Sequence, residues 1–191
     1  KTLFDTMSKY GMVEKIQLNS IQSITSDRLY NSWRSIPHVT QFDEVDITEL
    51  DRIVKILKKV NKNEDSKVSY LPFFIKAVAI ILEKLNKFNS SLDEDNKSLL
   101  QKQYYNIGIA VDTPKGLLVP VIKNVNTKSI KSITIEFNKI VKKARENKLT
   151  VEEMSGGCIT ISSLGNIGGN LFTPIINPPE VSILGISKIY I

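Results

Sequence analysis

Gly156-Gly157-Cys158-Ile159-Thr160-Ile161-Ser162-Ser163-Leu164-Gly165-Asn166-Ile167-Gly168-Gly169 is the stretch on which the reading of this chain turns. Cys158 to Ile161 is a short apolar run bounded by glycine and serine, and it predicts a buried strand. The strand delivers two adjacent hydroxyls, Ser162 and Ser163, into a glycine-rich turn. Asn177-Pro178-Pro179-Glu180 follows soon after. Such a turn can aim a hydroxyl and bare backbone amides at a ligand. On residue type alone, serines there are turn formers first, because their hydroxyls bond nearby backbone. The segment is not the Gly-x-Ser-x-Gly elbow of esterases, which disfavours a serine hydrolase. Gly165-x-x-Gly168-Gly169 also lacks the spacing of a dinucleotide fingerprint.

Upstream, Ser129 to Asn147 has the spacing of a helix in Ile130, Ile133, Phe137, Ile140 and Ala144. Lys142, Lys143 and Arg145 suit its C-terminal dipole. Thr150 opens a short turn with Glu152 and Glu153. Tyr104 to Val111 and Leu117 to Ile122 read as strands, joined by the hairpin loop Asp112-Thr113-Pro114-Lys115-Gly116. Ser90 to Leu92 is a third short strand. Val181 to Ile191 closes the chain as a strand.

In the first half, Val13 to Leu18 and His38 to Asp46 alternate apolar and polar residues and are expected as strands. Ser20 to Trp33 has helical spacing, closed before Pro37. A helix capped by Asp46 or Thr48 runs to about Lys62, with Leu50, Ile53, Ile56, Leu57 and Val60 as its apolar stripe. Asn61 to Lys67 reads as a polar loop. Leu71 to Lys87 is apolar around most of its circumference and is expected deep in the domain. Strands and helices mix without regular alternation. The fold class is α+β or mixed-sheet α/β, helices packed on a sheet.

The chain has 191 residues, 41% hydrophobic and 24% charged, which fits one soluble globular domain. Its longest apolar stretch, Leu71 to Leu85, is interrupted by Pro72, Lys76, Glu83 and Lys84, so no membrane span is expected. Lys1 is not a natural initiator, so the chain reads as a piece of a longer polypeptide. The lone Cys158 excludes an internal disulfide, suits a reducing, cytoplasmic compartment and reads as a small buried hydrophobe. The net charge of +6 comes mostly from lysines spread along helices, the pattern of a solvated face. It also suits a polyanionic ligand such as a nucleotide cofactor. No aromatic-interleaved basic patch or helix-turn-helix pattern points to nucleic acid. His38 is the only histidine. With one histidine, the acidic residues Asp43, Glu44, Asp46, Glu49 and Asp51 read as caps and dipole partners, and no metal site is expected. His38 itself reads as a structural histidine.

Together the segments resemble a family. Ile36-Pro37-His38-Val39-Thr40, Lys87-Phe88-Asn89-Ser90-Ser91-Leu92, Asn106 to Leu117, Pro120-Val121-Ile122, Gly156 to Gly169 and Pro174 to Gly185 occur in order. They resemble the catalytic domain of the dihydrolipoamide acyltransferases of 2-oxoacid dehydrogenase complexes, over residues 10–191. Residues 1–9 look like the end of a linker. Phe42-Asp43, Asp46-Ile47-Thr48-Glu49-Leu50 and the Ser162-Ser163 pair look most like the acetyl-transferring pyruvate dehydrogenase type. The branched-chain type is the alternative.

The resemblance implies a chloramphenicol-acetyltransferase-like fold that forms homotrimers, which build a larger core, with 24 subunits expected. Decarboxylase and dihydrolipoamide dehydrogenase subunits are its implied partners. The implied reaction moves an acyl group between a dihydrolipoyl arm, carried on a separate upstream domain, and coenzyme A. A histidine base removes the thiol proton during attack on the thioester. By the resemblance Ser162 supplies the hydroxyl that steadies the oxyanion. The resemblance also implies that Ser91, Gly168 and Gly169 lie near coenzyme A. The family's base belongs to a C-terminal His-x-x-x-Asp-Gly motif some fifty residues beyond the serine. Residues 1–191 do not contain it. The expectation is a catalytic domain without its C-terminal part, either a fragment of a complete enzyme or an inactive scaffold.

Overall fold

The computed structural model describes residues 2–61, 67–95, 97–165 and 167–190. Five α-helices and eight strands are formed there. The helices are α1 (Leu3–Met7), α2 (Ser20–Ser35), α3 (Thr48–Val60), α4 (Leu71–Lys84) and α5 (Ile130–Arg145). The strands are β1 (Ser90–Leu92), β2 (Leu99–Gln101), β3 (Ile107–Ile109), β4 (Val111–Thr113), β5 (Gly116–Leu118), β6 (Val121–Ile122), β7 (Ile159–Ser163) and β8 (Ile183–Ile186). The architecture is α+β.

A mixed sheet of order β6-β3-β7-β8 forms the centre. β3 is antiparallel to β6 and parallel to β7, with Gly108 opposite Thr160. β7 is parallel to β8, with Ser162 opposite Gly185. β1–β2 and β4–β5 are separate antiparallel pairs. Every residue of β3 is buried, as are Ile159, Thr160 and Ile161 of β7. Parallel strands covered on both faces read as continuous apolar runs, which is why Cys158 to Ile161 was legible.

One face of this sheet carries α4 and α5. Ile107, Ile109, Ile159 and Ile161 join Ile75 and Leu82 of α4 and Ile133 and Phe137 of α5 in one core. The helices are built for this. Ser129 caps α5 by accepting from the amide of Ser132 at 3.2 Å, and Lys142, Lys143 and Arg145 lie in its last turn. Its buried residues Ile133, Phe137, Ile140 and Ala144 form one stripe. In α4, Pro72, Ile75, Ala79 and Leu82 make the buried stripe. Pro72 sits in the first turn, where its missing N–H costs nothing. The opposite face of α4 is not deep in the domain: Ile80 and Ile81 are exposed, because only one side meets the sheet.

Other expectations are corrected by the long-range arrangement. Val13 to Leu18 and His38 to Asp46 are not strands. Alternation suits a strand, but a ladder needs a partner edge, and among the described residues none pairs with these segments: Thr173 and the Ile176 amide meet only the side chains of Thr40 and His38. Val39 is 95% exposed. Tyr104 to Val111 is not one strand: pairing with β7 ends at Ile109, and β4 turns away into the hairpin with β5. The last strand is confined to Ile183–Ile186, and Ile191 lies outside the described residues. β2 was not foreseen.

α3 starts at Thr48, so neither Asp46 nor Thr48 is its N-cap residue: Ile47 is, and Asp46 Oδ1 accepts from the Thr48 amide and hydroxyl at 2.8 and 2.6 Å. Val54, off the predicted stripe, is its buried residue; Ile53, Ile56, Leu57 and Val60 are exposed. The helix ends at Val60, and most of the polar loop expected at 61–67 lies outside the described residues. α2 is closed by a reciprocal cap between Asn19 and Gln22 and packs against the β4–β5 hairpin, with Ile21 beside Gly116. Its apolar residues are only partly covered: Ile24 is exposed and Trp33 stays 58% exposed.

Candidate active site

Ser162 and Ser163 stand at the end of β7 and both are half-buried. β3 stops pairing at Ile109, opposite Ile161, so the serines project past it while still paired to β8. Clefts at the carboxyl ends of parallel strands are where such sheets bind ligands. The Ser162 hydroxyl has no hydrogen-bond partner among the described residues. Opposite it, Gly185 leaves room for Phe172: a Cβ there would meet the ring at 2.9 Å. Phe172 therefore walls the strand beside Ser162.

The glycine turn follows directly. The carbonyl of Leu164 accepts from the amides of Ile167 and Gly168, both at 2.9 Å. The amide of Leu164 donates to Ile186, and that of Lys188 donates to Gly169, which ties the turn to β8. Gly168 and Gly169 have φ of +96° and +101°, and a Cβ on either would meet nothing within 4 Å. Backbone conformation, not crowding, demands glycine here. Asn166, quoted with this turn, lies outside the described residues.

Behind the serines sits a buried polar knot. The Thr160 hydroxyl donates to Glu180 Oε1 at 2.9 Å, and Asn177 Nδ2 donates to the same oxygen at 3.4 Å. Glu180 Oε2 is buried and has no partner among the described residues. Burial pushes the Glu180 carboxyl up to about 7, against the opposing hydrogen bonds of Thr160 and Asn177. Gly157 permits this: a Cβ there would lie 2.8 Å from Glu180 Oε1. Pro178-Pro179 is a cis peptide. The carbonyl of Pro179 accepts from the Ser91 hydroxyl at 2.6 Å. Ser91 is buried, and that bond leaves its oxygen able only to accept further.

His38 is far from free. Its Nε2 accepts from the amide of Ile176 at 3.0 Å, so its proton sits on Nδ1, which donates to Ile36 O at 2.9 Å. Its ring lies against Trp33, centroids 5.3 Å apart. His38 thus pins the segment before Pro178 to the end of α2. Cys158 is fully buried, with its thiol pushed up by burial and directed at the carbonyl of Tyr104. The acidic residues of 43–51 serve locally: Glu49 pairs with Arg52, and Asp51 with Lys55 and the Tyr70 hydroxyl.

The structure therefore joins Ser162, Gly168 and Gly169 in one strand-and-turn unit and links Ser91 to it through Pro179 and Glu180. Thr160, Phe172, Asn177 and Glu180 had been given no role. One signal existed: Glu180 is the only charged residue between Glu153 and Lys188. A lone charge in an apolar, proline-flanked stretch marks a buried carboxyl or an exposed one, and only the fold distinguishes them.

The structure superposes on that of Azotobacter vinelandii dihydrolipoamide acetyltransferase with a TM-score of 0.93 at 47% identity, covering 95% of this chain and 75% of that one. In that relative, the roles of one serine, one histidine and one asparagine in the catalytic mechanism have been investigated. The cubic core of the pyruvate dehydrogenase multienzyme complex also matches, with a TM-score of 0.93 at 48% identity, over 95% of this chain and 75% of that one. In sequence, the chain is 50% identical over 183 residues to the dihydrolipoyllysine-residue acetyltransferase component of the pyruvate dehydrogenase complex of Haemophilus influenzae. The match covers 95% of this chain and 32% of the relative, so the chain spans about a third of that protein's length. The sequence profile of the 2-oxoacid dehydrogenases acyltransferase (catalytic domain) family matches residues 10–191, and the chain belongs to this family.

Proposed function

We propose that residues 10–191 belong to a dihydrolipoyllysine-residue acetyltransferase that moves an acetyl group between a dihydrolipoyl arm and coenzyme A. The observation that carries this reading is the unpartnered Ser162 hydroxyl at the end of β7, beside a turn whose Gly168 and Gly169 hold positive φ. In the proposed reaction a thiol attacks a thioester carbonyl, and Ser162 donates to the oxyanion that forms. Gly168 and Gly169 let backbone approach coenzyme A, and Ser91 lies near the same ligand, its remaining lone pair open to a donor. The thiol must lose its proton as it attacks. His38 is unsuited, since both its nitrogens face backbone groups. The proposed base is a histidine from outside these 191 residues.

Assembly belongs to the same reading. A homotrimer built into a larger shell of 24 subunits is proposed, and the relative with a cubic core supports the larger assembly. The exposed apolar residues Ile53, Ile56 and Val60 of α3 and Trp33 of α2 suit subunit contacts. The lipoyl group is proposed to ride on an upstream domain, with decarboxylase and dihydrolipoamide dehydrogenase as partners in the cytoplasm. Among the described residues no helix is long and apolar enough to cross a membrane.

The test is direct. The full-length protein carrying this domain should transfer acetyl from acetyl-coenzyme A to dihydrolipoamide. A full-length, assembled protein that transfers no acyl group would overturn the reading.

A further inference from the structure

The knot behind Ser162 joins three separated segments. Thr160 and Ser162 stand two positions apart on one strand, so their side chains share a face, about 7 Å apart along β7. On that face the Thr160 hydroxyl reaches Glu180 Oε1, and Gly108 across the sheet is close enough that a Cβ would lie 2.8 Å from the same hydroxyl. Glu180 Oε1 also takes Asn177 Nδ2, which closes the turn already held by the Glu180 amide donating to Asn177 O at 3.0 Å. The next carbonyl back, that of Pro179, takes the Ser91 hydroxyl. β7, the turn and β1 therefore meet at two consecutive residues, and they carry Ser162 at one end and Ser91 at the other.

We propose that Glu180 is a positioning residue for Ser162: its carboxyl clamps the Asn177–Glu180 turn to β7 and so sets Ser91 and Ser162 relative to one another. The catalytic arm of this inference rests on the acyl-transfer reading above.

The clamp works as a neutral acid. Its Oε2 is buried without a partner, a position that a charged oxygen tolerates poorly. Two titratable groups act on it. Lys102, just after β2, is attractive, but its ammonium donates to Ser90 O at 3.2 Å. Cys158, just before β7, holds a protonated thiol. The other groups packed there, Thr160, Ser91, Asn177, Gly157 and Val121, are uncharged. The carboxyl, held up at about 7, ionises near neutrality. Ionisation draws water toward Oε2 and loosens the turn.

Hydrogen exchange and steady-state kinetics on the full-length protein test this together. Glu180→Asp withdraws the carboxyl by one methylene, and Thr160→Val removes the donor without changing its shape. Either should speed amide exchange in residues 161–165 about tenfold. Either should also lower kcat about tenfold, with KM for coenzyme A changed less than about threefold. Glu180→Gln keeps Oε1 and cannot ionise. Its exchange should stay within about threefold of wild type, and its kcat relative to wild type should rise between pH 6 and 8.5. Wild-type protection in both Glu180→Asp and Thr160→Val overturns the clamp, as does a Glu180→Gln protein as loose as Glu180→Asp. A wild-type protein that transfers no acetyl, with the exchange pattern as expected, leaves the clamp standing and removes the acyl-transfer reading instead.

Discussion

The Thr160 hydroxyl donates to Glu180 Oε1 at 2.9 Å across twenty positions of sequence, in a place where neither side chain meets solvent. Burial, against that bond, raises the pKa of the carboxyl beneath Ser162, and a stability prediction follows.

Glu180 is raised by burial from its ordinary 4.5 to about 7, so the folded state holds a proton that the unfolded chain releases earlier. The contribution is complete below pH 4.5 and is lost as pH rises to about 7. Linkage sets the loss at about 3 kcal/mol, an upper figure for a single group. Glu180→Gln should abolish this slope. Urea unfolding at pH 5 and pH 8 measures it; equal slopes in the variant and wild type would remove Glu180 as the source.

Ser162→Ala should lower acetyl transfer about 100- to 1000-fold if its hydroxyl steadies the oxyanion. The dissociation constant for coenzyme A should hardly move, since ground-state binding does not need that donor. Steady-state kinetics with equilibrium binding separates the two. An unchanged kcat would take Ser162 out of the mechanism.

Gly168→Ala places a Cβ on backbone at φ +96°. There is open space around it, so the penalty is conformational, about 1–2 kcal/mol. The turn should shift to relieve it. A higher KM for coenzyme A beside the few-degree fall in melting temperature that this penalty implies would mark the glycine as a ligand contact; the same fall with the same KM would mark it as a turn former only.

His38→Ala leaves the Ile176 amide without its acceptor and should cost about 1–3 kcal/mol of stability. The alkaline rise of kcat with pH should survive, because the proposed base is another histidine. Loss of that limb in the variant would return His38 to the proton-transfer step.

Much of the fold was legible because the signals are local or periodic. Ser129 with the stripe Ile133-Phe137-Ile140 announced α5, and Pro114-Lys115-Gly116 announced the β4–β5 turn. Cys158 to Ile161 announced β7, since a strand covered on both faces is apolar throughout. The motif order around these elements was enough to name the family, which the profile match then established. Failures came where a pattern needed a partner. His38 to Asp46 alternates well, but no edge among the described residues pairs with it, and Val39 is exposed. The α3 stripe has helical spacing, but the only residue of α3 that the fold buries is Val54.

The sequence by itself determined helices α2 to α5, the central strand, the hairpin and the presence of two hydroxyls before a glycine turn, while α1 lies in the stretch read as the end of a linker. Those follow from periodicity, capping and turn chemistry, which act over a few residues. The tertiary structure decided what each polar group does. It engaged both nitrogens of His38, bringing Ile176 to its Nε2 from 138 positions away, brought Ser91 to Pro179 across 88, and buried the lone charge of its stretch, Glu180, against Thr160. No local pattern encodes such meetings, because a buried hydrogen bond depends on where two distant segments cross. That crossing turns an apparent serine turn into a strand end with one free hydroxyl, backed by a buried carboxyl.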